Sequence, residues 1–371
     1  MVFVIILAII GLFGLIVWSF TSFAPQFGTN ASGERLQRMQ NSPNFKDGIF
    51  LNPQETSMGA PNSSSFKTIL EFIKKREGRN PDSKIPFRKI EGKDIGTLGD
   101  KELKVTWLGH STLLIEIGGK VFLTDPVFGK TASPMSFFGP KSFHDEMPVP
   151  IDSLPELDAV ILSHDHYDHL DYKSISKLKS KTRKFYAPLG VGAHLNRWGI
   201  KDEDIIEKDW WEKDTSIEGI EFIATPARHF SGRGFTDRYA NLWCSWVIRT
   251  ENLNIFFGGD SGYGKHFTEI GEKYGPFNLT MLECGAYNED WPFIHSMPEQ
   301  TAQSQKDLRG EVLLPIHWAK FNLALHPWKE PIERLLKKAN ELNMTVTTPL
   351  IGEPVLYGTD LPTSHWWGKE E

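Results

Sequence analysis

Cysteine is scarce in this chain: two among 371 residues, Cys244 and Cys284, each inside an apolar run (NLWCSWVI and LTMLECGAY). Two isolated thiols supply neither a disulfide framework nor a thiolate zinc site, which needs a full cluster of ligands. They read as buried thiols. Positive charge is not in excess either. Lys plus Arg number 41 against 47 Asp plus Glu, a net charge of −6, with no long Lys/Arg block. Binding to nucleic acid by counterion release is therefore not expected. What the chain does have is 12 His, so any metal must be held by nitrogen and oxygen.

The longest apolar run is at the start. Val2 to Trp18 carries no charge and ends in a Trp of the kind that sits at a membrane interface. A helix of about 17 to 20 such residues is just long enough to span a bilayer. The basic n-region of an ordinary signal peptide is missing, and a cut after Ala24 would leave Pro25 in the next position, so the flanks favour an uncleaved anchor. Cleavage after Ala31 is the alternative. Residues 21–100 read as an arm rich in Ser, Asn, Pro and Gly, with one amphipathic helix expected at Ser65 to Glu77 (SFKTILEFIKKRE). This divides the chain into an anchor or signal segment (1–20), the arm (21–100), a catalytic domain (101–360) and a tail (361–371).

From Leu103 onward, short β-type runs bounded by Gly, Pro and Asp alternate with helical patterns such as Asp171 to Lys181, Met297 to Leu308 and Pro331 to Leu342. Interleaved strands and helices predict an α/β class, α+β in some schemes, with buried sheets. A weak internal repeat is visible. Thr106, Gly109-His110, two apolar strands and Asp125 are matched by Thr225, Arg228-His229, two apolar strands and Asp260. Two copies of one unit would bring two sheets face to face, with equivalent strand ends meeting at one edge.

The chemistry concentrates after the buried run DAVIL, in Ser163-His164-Asp165-His166-Tyr167-Asp168-His169. In extended backbone His164 and His166 point the same way and can reach one ion. A turn after them redirects Asp168 and His169 to a neighbouring site. So many ionisable groups at one strand end call for a compensating cation. His229, Asp260 and His317 each follow another apolar run. Five His and two Asp exceed the needs of one ion and suit two ions about 3.5 to 4 Å apart that share a carboxylate.

These residues resemble the metallo-β-lactamase superfamily, whose signature is HxHxDH after a buried strand, then a distant His, an Asp after a Gly-rich strand end and a final His. Residues 104 to about 356 are similar, within it, to the N-acylphosphatidylethanolamine-hydrolysing phospholipases D. The fragments VTWLGHSTLLIE, FLTDPVF, AVILSHDHYDHLDY, FFGGDSGY, EIGEKYGPFNL and IHWAKFNLALH carry that similarity. The resemblance implies an αβ/βα four-layer sandwich with two facing mixed sheets flanked by helices. It implies two zinc ions, with iron or manganese as substitutes: His164, His166 and His229 on one, Asp168, His169 and His317 on the other, and Asp260 bridging. A hydroxide between the ions would attack the phosphorus of a phosphodiester.

Around this set, Asp125 and His110 are expected to orient ligands rather than bind metal. Tyr167 is a candidate to aim its hydroxyl at the substrate, beside Asp168. His295 matches a family position that lines the substrate site, where it could protonate the leaving oxygen or hold a phosphate oxygen. Arg233 falls near a basic family position suited to clamping phosphate. Two neighbourhoods depart from the family, Ile294 before His295 and FSGRGFTDRYAN after His229, so substrate contacts are less well specified than metal ligands. Trp210, Trp211, Trp243, Trp246, Trp291 and Trp318 suggest a lipid groove or, more simply, aromatic core.

Gly259-Asp260-Ser261-Gly262 copies a serine-protease string, but the strand pattern is wrong for one and Tyr263 stands where a nucleophile elbow needs Gly. Gly190-Val191-Gly192 lacks the third glycine of a dinucleotide loop. The function expected is a phospholipase D-type phosphodiesterase held at a bacterial inner membrane, with the side of the catalytic domain left open. Its expected partners are a phospholipid or other phosphodiester, the membrane and no nucleic acid, with a homodimer also left open. Rival readings are a lactonase of the ascorbate-phosphate type, a nuclease of the same fold, or a non-catalytic metal-binding envelope protein.

Overall fold

A computed structural model of the chain describes residues 1–60, 68, 70–72, 74 and 77–368. Helices α1 (Val2–Phe23) and α2 (Gly33–Gln40) precede a small hairpin, β1 (Phe45–Lys46) and β2 (Ile49–Phe50). The first half of the domain runs β3 (Leu103–Trp107), β4 (Leu113–Ile117), β5 (Lys120–Thr124), β6 (Leu157–Ile161), α3 (Tyr172–Leu178), β7 (Thr182–Pro188), α4 (Gly192–Arg197) and β8 (Ile205–Lys208). The second half runs β9 (Lys213–Asp214), β10 (Glu221–Thr225), β11 (Ser245–Arg249), β12 (Asn254–Phe257), α5 (His266–Tyr274), β13 (Phe277–Glu283), α6 (Pro298–Asp307), β14 (Gly310–Ile316), α7 (Glu330–Glu341) and β15 (Thr345–Val346). A last strand, β16 (Pro354–Leu356), returns to the first half.

Two seven-stranded mixed sheets result, ordered β16-β3-β4-β5-β6-β7-β8 and β15-β14-β13-β12-β11-β10-β9. Each begins with an antiparallel meander (β3-β4-β5; β10-β11-β12) and continues with parallel strands. The internal repeat is thus a repeat of topology. Because β3, β5, β6 and β7 run in one direction, as do β10, β12, β13 and β14, their carboxyl ends gather at one edge of each sheet. In α/β sheets that edge is where ligands bind.

The sheets are buried on both faces, which is why β4 reads as an unbroken apolar run apart from Glu116, held by Lys104 at 2.6 Å. Inner faces meet through ring contacts: Phe122 of β5 packs edge-on against Phe222 of β10 with centroids 5.3 Å apart, and Tyr186 of β7 stacks on the same ring at 4.2 Å. Truncating such a ring costs about 3 to 5 kcal/mol. Outside, Ile175 and Leu178 of α3 with Leu195 of α4 cover the first sheet. Ala302 of α6 with Ile332 and Leu335 of α7 belong to the core that includes the second.

Parts of the arm and the tail pack onto the domain. Met39 and Phe50 are buried in the core, and Arg35 pairs with Glu207 at 2.6 Å and Asp202 at 2.8 Å. Trp366 and Trp367 are buried too, with Trp366 stacked on Trp318 at 5.2 Å. Burial of Met39 and Phe50 on one side and of Trp366 and Trp367 on the other holds these segments against the domain. The helix expected at 65–77 lies largely outside the described residues. Both cysteines are buried and unpaired.

Candidate metal centre

Seven strand ends deliver the site. His110 follows β3, Asp125 follows β5, the HDHYDH run follows β6, His229 follows β10, Asp260 follows β12, Glu283 ends β13 and His317 follows β14. Three of these residues, His110 (φ 55°), Asp125 (φ 34°) and His317 (φ 65°), take a left-handed backbone. That costs roughly 1 to 3 kcal/mol each in a residue with a side chain and persists only where the surroundings impose it.

Two donor clusters form. In one, His164 Nε2 lies 2.9 Å and His229 Nε2 3.2 Å from His166 Nδ1. In the other, Asp168 Oδ2 lies 3.5 Å from both His169 Nε2 and His317 Nε2, and 2.9 Å from His110 Nε2. Asp260 Oδ2 faces both, at 3.2 Å from His169, 3.1 Å from His317, 3.7 Å from His229 and 3.9 Å from His164. All seven predicted ligands therefore converge.

The outward-facing nitrogens decide what the inward ones offer. His229 Nδ1 donates to the Ile294 carbonyl at 2.8 Å, and His169 Nδ1 donates to Asp125 Oδ2 at 2.7 Å. Ser163 Oγ donates to Asp125 at 2.5 Å and so accepts from His164 Nδ1 at 2.9 Å. Each of these rings, in its neutral form, thereby presents a lone pair to the centre. His169 Nε2, His317 Nε2 and Asp260 Oδ1 are buried with no hydrogen-bond partner. Buried polar atoms left unsatisfied are costly, and converging lone pairs with two carboxylates are the donor set of a cation site. The residues fit metal.

The electrostatics divide the site. Burial, then neighbouring imidazoles, hold His164 and His229 well below the usual imidazole range, so both stay neutral. Burial also works against charge on His169 and His317, but Asp260 and Asp168 overcome it, raising His169 well above the usual range and His317 to about 10. Asp168 and Asp260 are held well below the carboxylate range despite burial, chiefly by His169. Both carboxylates call for positive charge between the rings.

The orienting residues are equally specific. Asp125 is tied to His169 and Ser163, and His110 to Asp168. Three further residues escaped the sequence reading. Ser163 relays Asp125 to His164. Asn52 of the arm brackets the His229 backbone, accepting from its N–H at 3.2 Å and donating to its carbonyl at 2.8 Å. Glu283 accepts the Nδ1–H of His295 at 2.7 Å and the Ser261 N–H at 2.7 Å. Glu283 carried the signal used for Asp260, a carboxylate at an apolar strand end; Asn52 carried none.

Two expected substrate contacts are corrected. The Arg233 guanidinium is buried and donates to the carbonyls of Gln26, Asp165 and Leu170 (2.5–3.1 Å), so it ties the arm to the metal-motif loop and has no fork left for phosphate. The Tyr167 hydroxyl donates to the Arg233 carbonyl at 2.6 Å and is not aimed at the centre. His295 does border it, with ring centroids 5.1 Å from His229 and 5.4 Å from His317. Ser261 is buried and bonded to His266 at 3.0 Å, away from any nucleophilic role. The tryptophans are mostly core: Trp246 and Trp243 donate to the Leu162 and Ala227 carbonyls, bracing the loops that carry His164 and His229.

Residues 120–318 match the family described as the beta-lactamase superfamily domain. The chain is 41% identical over 345 residues to an uncharacterised protein of Mycobacterium tuberculosis, covering 92% of this chain and 91% of that one. It is 33% identical over 307 residues to N-acyl-phosphatidylethanolamine-hydrolyzing phospholipase D 1 of Caenorhabditis elegans, covering 77% and 85%. A metallo hydrolase of the archaeon Ignicoccus hospitalis shares the fold, with TM-score 0.53, 21% identity and coverage of 70% and 100%. With its sheet edges, its converging donors and these matches together, the chain belongs to the metallo-β-lactamase superfamily and is a metal-dependent hydrolase resembling the N-acylphosphatidylethanolamine-hydrolysing phospholipases D.

Proposed function

We propose that this protein is a two-metal phosphodiesterase of the phospholipase D type, acting on N-acylphosphatidylethanolamine or a related phospholipid of the membrane that holds its N-terminal helix. The observation that carries the reading is the pair of donor clusters sharing Asp260, joined to the phospholipase relative that aligns over most of its length. His164, His166 and His229 would hold one ion, Asp168, His169 and His317 the other, and Asp260 both. Zinc suits this imidazole-rich set, and iron or manganese suits its mixed nitrogen and oxygen donors. Bound ions supply Lewis acidity, which lowers the pKa of water and polarises a phosphoryl oxygen.

The chain's own residues do the rest. Asp125 and Ser163 keep His169 and His164 in the tautomers that face the centre. Glu283 takes the Nδ1–H of His295, and the Nε2 of that ring, when it carries the second proton, would hold or protonate a substrate oxygen. No side chain is required as nucleophile. α1 includes a stretch, Ile5–Phe23, long and apolar enough to cross a membrane and with none of it buried against the domain, which supports a membrane substrate over a soluble lactone. The test is a panel of phospholipids and soluble esters with products identified by mass spectrometry. Release of N-acylethanolamine and phosphatidic acid supports the assignment, and cleavage of soluble esters or lactones alone rejects it.

A further inference from the structure

Past the foot of α1 the chain does not hang free of the domain; residues 25–29 lie in a socket beside the metal motif. Trp198 Nε1 donates to the Pro25 carbonyl at 2.7 Å, Arg233 Nε and Nη2 donate to that of Gln26 at 3.1 and 2.7 Å, and Arg197 Nη1 donates to that of Gly28 at 2.6 Å. The Thr29 N–H donates to His194 Nδ1 at 2.9 Å. An Nδ1 that accepts leaves the ring's hydrogen on Nε2, which faces Asp165 Oδ2 at 3.3 Å. The same carboxylate accepts from Asn241 Nδ2 at 2.9 Å and from the Gly232 N–H at 2.8 Å. Gly28 fits because it has no side chain: its backbone is left-handed (φ 69°), and a Cβ there would stand 2.0 Å from His194 Nδ1.

The socket bears on the two residues that stand between ligands of the motif. Asp165, between His164 and His166, is wholly buried; His194 and Asn241 hold its carboxylate, and its carbonyl accepts from Arg233 Nη1 at 2.5 Å. Tyr167, between His166 and Asp168, has the Arg233 guanidinium over its ring at 4.2 Å and Phe27 edge-on to it at 6.4 Å. His194 and Arg233 are themselves buried, so both depend on their partners from the arm. Without Gln26 the guanidinium is left with the Asp165 and Leu170 carbonyls, and buried donors left unpaired are costly. We propose that residues 25–29 are a positioning element of the metal centre. Gln26 and Thr29, acting through Arg233 and His194, fix the chain at Asp165 and Tyr167 and so the aim of His164, His166 and Asp168. The inference rests on the proposed two-ion centre. A chain cut after Ala31 would keep all seven ligands and lose this element, so the form that retains residues 25–29 is the competent one.

The test strips metal from the full chain and titrates it with cobalt(II), whose visible absorption at imidazole and carboxylate donors reports ligand geometry as well as affinity. Gly28→Ala puts a methyl group against His194. Gly33→Ala is its control, because Gly33 also has a left-handed backbone (φ 57°) in the arm but a Cβ there meets nothing within 4 Å. G28A should bind cobalt about 10- to 100-fold more weakly and with a shifted absorption band, while G33A titrates like the parent. His194→Gln keeps an acceptor and a donor on one planar group and should stay close to the parent, whereas His194→Leu should weaken binding as G28A does. If G28A and G33A, both native by circular dichroism, match the parent in affinity and spectrum, residues 25–29 only tether α1 and the inference is wrong. Should G28A fail to fold, equal cobalt binding by H194Q and H194L overturns it. A parent chain that binds no cobalt would instead overturn the two-ion reading.

Discussion

The Asp125 carboxylate accepts the Nδ1–H of His169 at 2.7 Å and, through the Ser163 hydroxyl, also governs His164. One buried acid after β5 thus sets the tautomers of two rings that face different donor clusters. Asp125→Asn, with an amide in place of that acceptor, should weaken metal affinity about 10- to 100-fold while circular dichroism stays native. Metal content after dialysis against graded chelator measures it; unchanged retention would contradict the orienting role.

Asp260 is the carboxylate that both clusters face. Asp260→Asn should abolish turnover in a folded protein and lower the metal stoichiometry below that of the parent. Full activity in this variant would remove Asp260 from the shared position.

Stripping metal should abolish activity, and zinc, iron or manganese should restore it. The same ions should raise the melting temperature, because a ligand of the native state at a hundred times its Kd adds about 2.7 kcal/mol. An active preparation shown by elemental analysis to hold no metal would sink the two-metal reading.

His295 touches the centre through its ring, and Glu283 holds that ring. His295→Ala should lower kcat by about 10²-fold or more, the usual worth of a positioned acid or base, and Glu283→Gln by a smaller factor. Neither should change metal content. Equal loss of metal in both variants would make them structural instead.

Lys320 is wholly buried, with Nζ donating to the Val127 carbonyl at 2.6 Å, and burial lowers its pKa to about 7 from an ordinary 10.5. Between those values the unfolded chain binds a proton that the folded chain does not, so this group's contribution to stability rises with pH across the window. The penalty is full below pH 7. Denaturant titrations should therefore find Lys320→Met most favourable relative to the parent at pH 7 and progressively less so toward pH 10; a pH-independent difference would show that Lys320 does not titrate there.

The legible part of this protein was local. The strands from KVTWLGH to TVTTPL, the three named helices and the HDHYDH run were readable because apolar periodicity and ligand spacing are properties of consecutive residues. The strand-end rule also brought in His229, Asp260 and His317, residues far apart in sequence, because each follows its own apolar run. Arg233 and Tyr167 were misread because a side chain's role depends on which carbonyls surround it, and those came from Gln26, Asp165, Leu170 and Arg233 itself. Asn52, Glu283 and the docked foot of α1 likewise depend on chain brought together from distant segments. The sequence by itself determined the elements and the donor types. Only the tertiary structure decided which nitrogen of each imidazole faces inward and what lies beside α1, because hydrogen-bond partners are assigned when separate strand ends meet at one edge.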